Sequence, residues 1–135
     1  MAMNQTRVVL VVGSFVATFV LLRIYLHLFP ATNLDIAGYN IHHLFTGLVL
    51  ITVGGLPLIF FAADKRILQL AAIAFGSGLA MALDEWVYLI ATDGSDSAYL
   101  SPVSLWGAVI TFALVLVYVL LLIISAKFNQ GNNKQ

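Results

Sequence analysis

The chain has 135 residues, of which 61% are hydrophobic and only 9% are charged. A soluble domain carries about 25% charged residues, so most of this surface must contact the lipid bilayer rather than water. Six Lys and Arg residues balance six Asp and Glu residues, which argues against nucleic acid as a partner. The sequence contains no cysteine, so disulfides, thiolate nucleophiles and Cys-ligated zinc or iron–sulfur centres are excluded.

Four apolar stretches are long enough to cross a hydrocarbon core of about 30 Å, which takes about 20 helical residues. They are residues 8–29, 41–63, 67–91 and 103–126. Runs that are apolar on every side, such as residues 115–124, lack the alternation of polar and apolar residues that is typical of a membrane β-strand. The sequence predicts an all-α fold, with four transmembrane helices in an antiparallel bundle. This single transmembrane domain covers residues 1–128, and residues 129–135 are expected to form a disordered polar tail.

Residues that end or cap helices separate the four stretches. Pro30 is expected to end the first helix, and Asn40 is a suitable N-cap for the second. Asp64 is expected to cap the third helix. Ser101 and Pro102 form the favoured N-cap and first position of the fourth.

The third stretch carries small residues at four-residue spacing, which is the pattern that lets membrane helices approach closely. The two series are Ala72, Gly76 and Ala80, and Ala74, Gly78 and Ala82. We expect this helix to be the central packing helix of the bundle.

Positive charge predicts the orientation, because Lys and Arg concentrate in cytoplasmic loops. The basic residues of one side are Arg7, Lys65, Arg66, Lys127 and Lys134. The loops of the other side contain Asp35, Asp93 and Asp96 without Lys or Arg. We therefore expect a multi-pass membrane protein with both termini in the cytoplasm.

Aromatic residues are expected to anchor the outer boundary of the membrane. The candidates are Tyr25, Tyr39, Tyr88, Tyr99 and Trp106. The segment 93–97 between the third and fourth helices lacks the spacing of a calcium loop and is predicted to be a turn.

Titratable residues inside a membrane span are costly, so each is a candidate functional residue with a partner. A rise of about 1.5 Å per residue brings six of them to one layer near the outer boundary. They are Arg23, His27, His42, His43, Asp84 and Glu85. Because neighbouring helical residues point about 100° apart, we expect one His and one carboxylate to face the bundle centre. The sequence leaves open which ones.

The first hypothesis is a membrane enzyme or binding protein with a site for a metal or a lipid-like ligand. Imidazoles and carboxylates are ligands for Zn, Fe or Mn, and the predicted ligands are His42, His43, Asp84 and Glu85. Arg23 and His27 are then expected to form an ion pair or to support the ligands by hydrogen bonds. If a metal activates a water, Glu85 or Asp84 would serve as ligand or base, and the sequence leaves the catalytic residue open.

The alternative is a structural clasp in which Arg23 pairs with Asp84 or Glu85 and the His residues bond the other carboxylate. The protein would then be a non-catalytic scaffold or accessory subunit, with a membrane protein or a second copy of itself as its partner. The cytoplasmic half of the spans contains no ionisable residue that continues this layer inward. This disfavours a channel or transporter.

Two short segments resemble segments of known membrane proteins. Residues 41–47 read I-H-H-L-F-T-G and residues 84–86 read D-E-W. In this combination the chain resembles uncharacterised small prokaryotic integral-membrane proteins with an I-H-H-x-x-x-G segment and a later D-E-aromatic segment. The resemblance covers two of the four predicted helices. It implies a polytopic prokaryotic membrane protein and no particular activity.

Overall fold

The fold is helical. The computed structural model describes residues 4–29, 35–36, 39–60 and 64–132. Its helices are α1 (Gln5–Leu28), α2 (His43–Phe60), α3 (Lys65–Ala91), α4 (Asp96–Tyr99) and α5 (Pro102–Asn132). Two short strands, β1 (Asp35–Ile36) and β2 (Tyr39–Asn40), pair antiparallel between α1 and α2.

Four helices, α1, α2, α3 and α5, are long and apolar enough to cross a membrane. This confirms the prediction of a helical protein with four candidate spans. The main difference is at the end of the chain, where α5 continues to Asn132 and so includes residues 129–132 of the expected tail. A helix can extend past its apolar stretch because its hydrogen bonds join backbone groups. Residues 61–63 of the second predicted span and residues 133–135 of the tail lie outside the described residues.

The predicted caps of α3 and α5 are confirmed. The Asp64 side chain accepts hydrogen bonds from the backbone N–H groups of Arg66 and Ile67 at 2.8 and 3.3 Å. The Ser101 hydroxyl accepts from Ser104 N at 3.3 Å, and α5 begins at Pro102. Pro30 lies outside the described residues.

The prediction that Asn40 caps α2 is wrong. Asn40 belongs to β2, where it is the partner of Asp35, and α2 begins only at His43. The start of α2 is therefore stabilised by another group, which belongs to the site described below.

Helix α3 is the central helix, as its small residues predict, and it packs against α1, α2 and α5. One of its close approaches to α2 is at Gly47 and Gly78. A Cβ atom added to either glycine would lie only 2.6 Å from the carbonyl oxygen of the other. This close backbone contact fixes the height of α2 against α3.

Aromatic stacking joins α1 to α5. The ring of Phe112 stacks on Phe15 and Phe19, with centroid distances of 4.2 and 4.3 Å. Phe15 is buried, whereas many large apolar side chains of α1 and α5 are exposed. Exposed apolar surface on long apolar helices suits contact with lipid.

Candidate functional site: a buried polar clasp

The candidate site is a polar cluster that joins α1, α2, α3 and α4. We call it the polar clasp, and its members are Arg23, His42, His43, Asp84, Glu85 and Tyr99. Five of these six residues were predicted from the sequence to lie in one layer. The structure brings them into direct contact through hydrogen bonds and ion pairs.

Asp84 is the most buried charged residue of the clasp, with 1% of its surface exposed. Its Oδ1 atom accepts a hydrogen bond from Arg23 Nε at 2.5 Å. Its Oδ2 atom accepts from the hydroxyl of Tyr99 and lies 3.1 Å from Nε2 of His43. Three different elements therefore supply hydrogen-bond donors to one carboxylate.

Arg23 connects α1 to both α3 and α5. Besides its bond to the Asp84 side chain, its Nη2 atom donates to the carbonyl oxygens of Asp84 at 3.3 Å and Ser104 at 3.4 Å. Its Cζ atom lies 4.6 Å from the centre of the Tyr99 ring, an attractive cation–π geometry. The predicted pairing of Arg23 with a carboxylate is thus realised with Asp84.

Glu85 provides the N-terminal cap of α2 from a different helix. Its Oε2 atom accepts from the backbone N–H of Leu44 at 2.7 Å, and Oε1 lies 2.7 Å from Nδ1 of His42. The first turn of a helix has unpaired N–H groups and a partial positive charge, so a carboxylate there is favourable. This contact replaces the cap that the sequence assigned to Asn40.

His43 lies between the two carboxylates. Its Nε2 atom is 3.1 Å from Oδ2 of Asp84, and its Nδ1 atom is 3.4 Å from Oε2 of Glu85. The clasp contains two carboxylates and one guanidinium, so its acidic groups exceed its permanent cation by one. The two ring nitrogens of His43 connect Asp84 to Glu85.

Both histidines, His42 and His43, and both carboxylates, Asp84 and Glu85, belong to the clasp. This differs from the expectation that one His and one carboxylate would face inward. His42 precedes the first helical residue of α2, so the angle between helical neighbours does not separate it from His43. Helix α3 has partners on several sides, and Asp84 bonds α1 and α4 while Glu85 bonds the start of α2.

Tyr99 is the clasp residue that the sequence reasoning missed. Tyr88 and Tyr99 were expected to be membrane anchors, but 2% and 7% of their surfaces are exposed. Burial, and then the charge of Asp84, raises the pKa of Tyr99 and keeps its hydroxyl a donor. Tyr25 and Trp106 are exposed, as anchors should be. A tyrosine close to a one-turn helix is the signal that could have suggested an inward role.

His27 does not join the clasp. Its side chain is exposed in the last turn of α1. In the described part of the chain no hydrogen bond or ion pair connects it to the other five predicted residues. Its predicted supporting role has no counterpart in this geometry.

The described residues include no group of three or more His, Asp or Glu side chains arranged to hold a metal ion. The physical reason lies in the partners of the carboxylates. Arg23 bonds Asp84, and the N-terminus of α2 bonds Glu85. These donors occupy carboxylate oxygens that a metal ion would need as ligands.

Comparison of the chain with protein-family models, with curated proteins and with solved structures finds no match. The resemblance carried by residues 41–47 and 84–86 therefore stays an expectation. Function is inferred from the clasp itself.

Proposed function

We propose that the protein is a non-catalytic membrane scaffold or accessory subunit whose polar clasp fastens one end of an antiparallel four-helix bundle. The observation that carries this proposal is that each carboxylate oxygen of the clasp has a donor from the chain. Asp84 is bonded by Arg23, His43 and Tyr99, and Glu85 by His42 and the backbone of Leu44. Every carboxylate oxygen of the cluster therefore has a hydrogen-bond partner without a ligand.

The energetics of buried charge support a fastening role. Removing one partner from a buried pair leaves an uncompensated charge and costs about 3–5 kcal/mol. Buried polar groups also reject misaligned packing, because any shift of helix register would leave them unpaired. The donors to Asp84 and Glu85 come from α1, α2 and α4, so the clasp defines the height of each element against α3.

The distribution of basic residues supports an extracytoplasmic position for the clasp. Arg7 lies in the first turn of α1, Lys65 and Arg66 begin α3, and Lys127 lies near the end of α5. Arg23, by contrast, lies near the opposite end of α1. By the rule that basic residues stay in the cytoplasm, we propose that both termini are cytoplasmic. The prokaryotic cytoplasmic membrane is part of this proposal and rests on the resemblance carried by residues 41–47 and 84–86.

A second candidate function is a site for a polar or lipid-like ligand at the imidazole edge of the clasp. The observation that favours it is the partial exposure of the side chains of His42 and His43, at 24% and 16%. A ligand headgroup could form a hydrogen bond there without displacing the buried bonds of Asp84. A divalent metal such as Zn, Fe or Mn, with His42, His43, Asp84 and Glu85 as its ligands, is a variant of this candidate that requires the two carboxylates to exchange their present donors for the ion.

Metal analysis separates the two candidates. Protein is purified in detergent after growth with added Zn, Fe and Mn, and its metal content and melting temperature are measured before and after chelation. The clasp predicts no stoichiometric metal and an unchanged melting temperature, while His43→Ala and Asp84→Asn melt earlier. Near-stoichiometric metal that is lost in one His and one carboxylate variant would overturn the clasp as the main role.

Cross-linking in native membranes tests the scaffold role. The chain has a mass of 14.6 kDa. A partner of different mass would indicate an accessory subunit, and multiples of the chain mass would indicate a homo-oligomer. A monomer under every condition would contradict the scaffold role and leave the clasp as a feature of stability only.

A further inference from the structure

We propose that residues 93–101 form a flap over the polar clasp, with the hydrogen bond from Tyr99 to Asp84 as its latch. This flap includes the one-turn helix α4 and connects α3 to α5. The inference goes beyond a passive fastening, because it assigns a closed and an open state to the site. It depends on neither the membrane orientation nor the scaffold role.

Tyr99 covers the clasp on the side of the flap. Its hydroxyl donates to Asp84 Oδ2, and its ring contacts the Arg23 guanidinium. The edges of two further rings meet it, with centroid distances of 5.7 Å to His43 and 5.5 Å to Tyr88. With 7% of its surface exposed, Tyr99 fills the space that water would otherwise use to reach the carboxylate.

The hydrogen bonds within the flap join residues that are close in sequence, such as Ser95 to Asp93 and Ala98 to Ser95, so they shape the segment without attaching it to the long helices. One turn of helix is unstable by itself, so the position of α4 depends on what Tyr99 and the neighbouring turn contact. The turn begins at Gly94, whose φ of 74° is readily adopted by glycine. The Tyr88 hydroxyl holds this turn by donating to the carbonyl oxygens of Gly94 at 2.5 Å and Ser95 at 3.2 Å.

This arrangement gives the flap a hinge and a latch at different places. The Tyr88 contacts fix the segment at Gly94 and Ser95, and Ser101 fixes the other end as the cap of α5. Between these points Tyr99 supplies the contact with Asp84. Loss of the Tyr99 bond can therefore release α4 while both ends stay attached.

Opening of the flap would expose buried polar and charged side chains to small polar solutes. Asp84 and Ser104 have 1% and 0% of their surfaces exposed, and the Ser104 hydroxyl lies 3.5 Å from Arg23 Nη2. A closed flap keeps the ion pair dry, which strengthens it. The open state admits water and small hydrophilic molecules to Asp84 and Arg23.

Cysteine accessibility tests the flap directly, because the natural chain has no cysteine. Ser104→Cys is a small change at a fully buried position, and its labelling by a small, charged methanethiosulfonate reagent is followed in detergent-purified protein. We expect slow labelling with Tyr99 present and labelling faster by about tenfold or more with Tyr99→Ala, because the latch is a buried bond to a charged group. Tyr99→Phe should give an intermediate rate.

Two controls separate flap opening from unfolding. Ser97→Cys, at an exposed position of the flap, should label equally fast with either residue at position 99. Phe15→Ala removes a buried ring of the α1–α5 contact and should destabilise the protein without accelerating Ser104→Cys labelling. A second reporter is modification of Asp84 by a water-soluble carbodiimide, which should also accelerate in Tyr99→Ala.

Several outcomes overturn the flap. They are fast labelling of Ser104→Cys when Tyr99 is intact, equal rates with Tyr99 and Tyr99→Ala, and equal acceleration by Phe15→Ala. An unchanged rate of carbodiimide modification at Asp84 in Tyr99→Ala also overturns it.

Discussion

Arg23 and Asp84 form an ion pair between α1 and α3, with Nε 2.5 Å from Oδ1, although 61 positions of sequence separate them. The Asp84 side chain is fully buried, and 13% of the Arg23 side chain is exposed. Charges taken out of water must be paired, because their desolvation is otherwise uncompensated. This pair therefore fixes the position of the end of α1 against the central helix more precisely than apolar contacts alone can.

The cap that Glu85 provides to α2 is testable by Glu85→Gln. An amide has only one acceptor oxygen, so one of the donors at Leu44 N and His42 Nδ1 loses its partner. We expect the free energy of unfolding to fall by about 1–3 kcal/mol. Asp64→Asn is the matched control, because Asn caps the exposed start of α3 as well as Asp does. Equal losses in the two variants would contradict an interhelical cap.

The close approach of α2 and α3 makes Gly47 sensitive to a single methyl group. An added Cβ would lie 2.6 Å from the carbonyl oxygen of Gly78 and 2.7 Å from the backbone N of Ala82, so backbone must move. We expect Gly47→Ala to lower the melting temperature, with a cost of about 1–3 kcal/mol for overpacking. Gly13→Ala, where no atom lies within 4 Å, should be neutral or slightly stabilising because Ala favours helix. A neutral Gly47→Ala would contradict the backbone contact.

Tyr99 is expected to make the free energy of unfolding depend on pH in the alkaline range. Burial, and then Asp84, raises the pKa of Tyr99 above its usual value of 10.0. A raised folded-state pKa contributes stability that is fully present below pH 10 and is lost as the pH rises further, since only the unfolded chain then releases the proton. The free energy of unfolding of the wild type should therefore fall more steeply above pH 10 than that of Tyr99→Phe.

The matched control for this comparison is Tyr118→Phe, at an exposed position of α5. At neutral pH Tyr99→Phe should be less stable than Tyr118→Phe by about 1–3 kcal/mol, because Asp84 loses a buried donor. Identical slopes for wild type and Tyr99→Phe would show that Tyr99 is not buried against Asp84.

The orientation predicts which cysteine an impermeant reagent reaches in intact cells. Ser97→Cys should be labelled from outside, because it lies at the clasp end in the acidic loop. Asn129→Cys, near the end of α5 beyond Lys127, should be labelled only after lysis. Labelling of Asn129→Cys alone in intact cells would reverse the topology without affecting the contacts of the clasp.

Periodicity and helix rise explain why much of this protein was predictable. Apolar stretches of sufficient length define the four candidate spans, and the small residues of α3 identify the central helix. Depth follows from residue counting, so Arg23 and Asp84 could be assigned to one layer before their contact was known. The cap residues Asp64 and Ser101 were predictable because capping uses neighbouring backbone.

The unpredicted features depend on contacts between distant segments. The true start of α2 depends on Glu85 of another helix, and local propensity at Asn40 carries no information about it. Tyr99 enters the clasp because α4 turns the chain toward α3, and a tyrosine at a membrane boundary suits an anchor equally well. The sequence alone does not distinguish a metal site from a clasp, because the same carboxylates can serve in either. The contact of Arg23 with Asp84 is what distinguishes them.

The most direct test of the clasp is a double-mutant cycle on Arg23 and Asp84, measured as the free energy of unfolding in detergent. Arg23→Leu and Asp84→Asn should each cost about 3–5 kcal/mol, because each leaves a buried partner uncompensated. The combined variant should recover much of the sum, with a coupling energy of about 0.5–3 kcal/mol, whereas Arg23→Leu with Glu85→Gln should show a smaller coupling energy because these two side chains are not in direct contact. Additive losses for Arg23→Leu with Asp84→Asn would contradict the clasp.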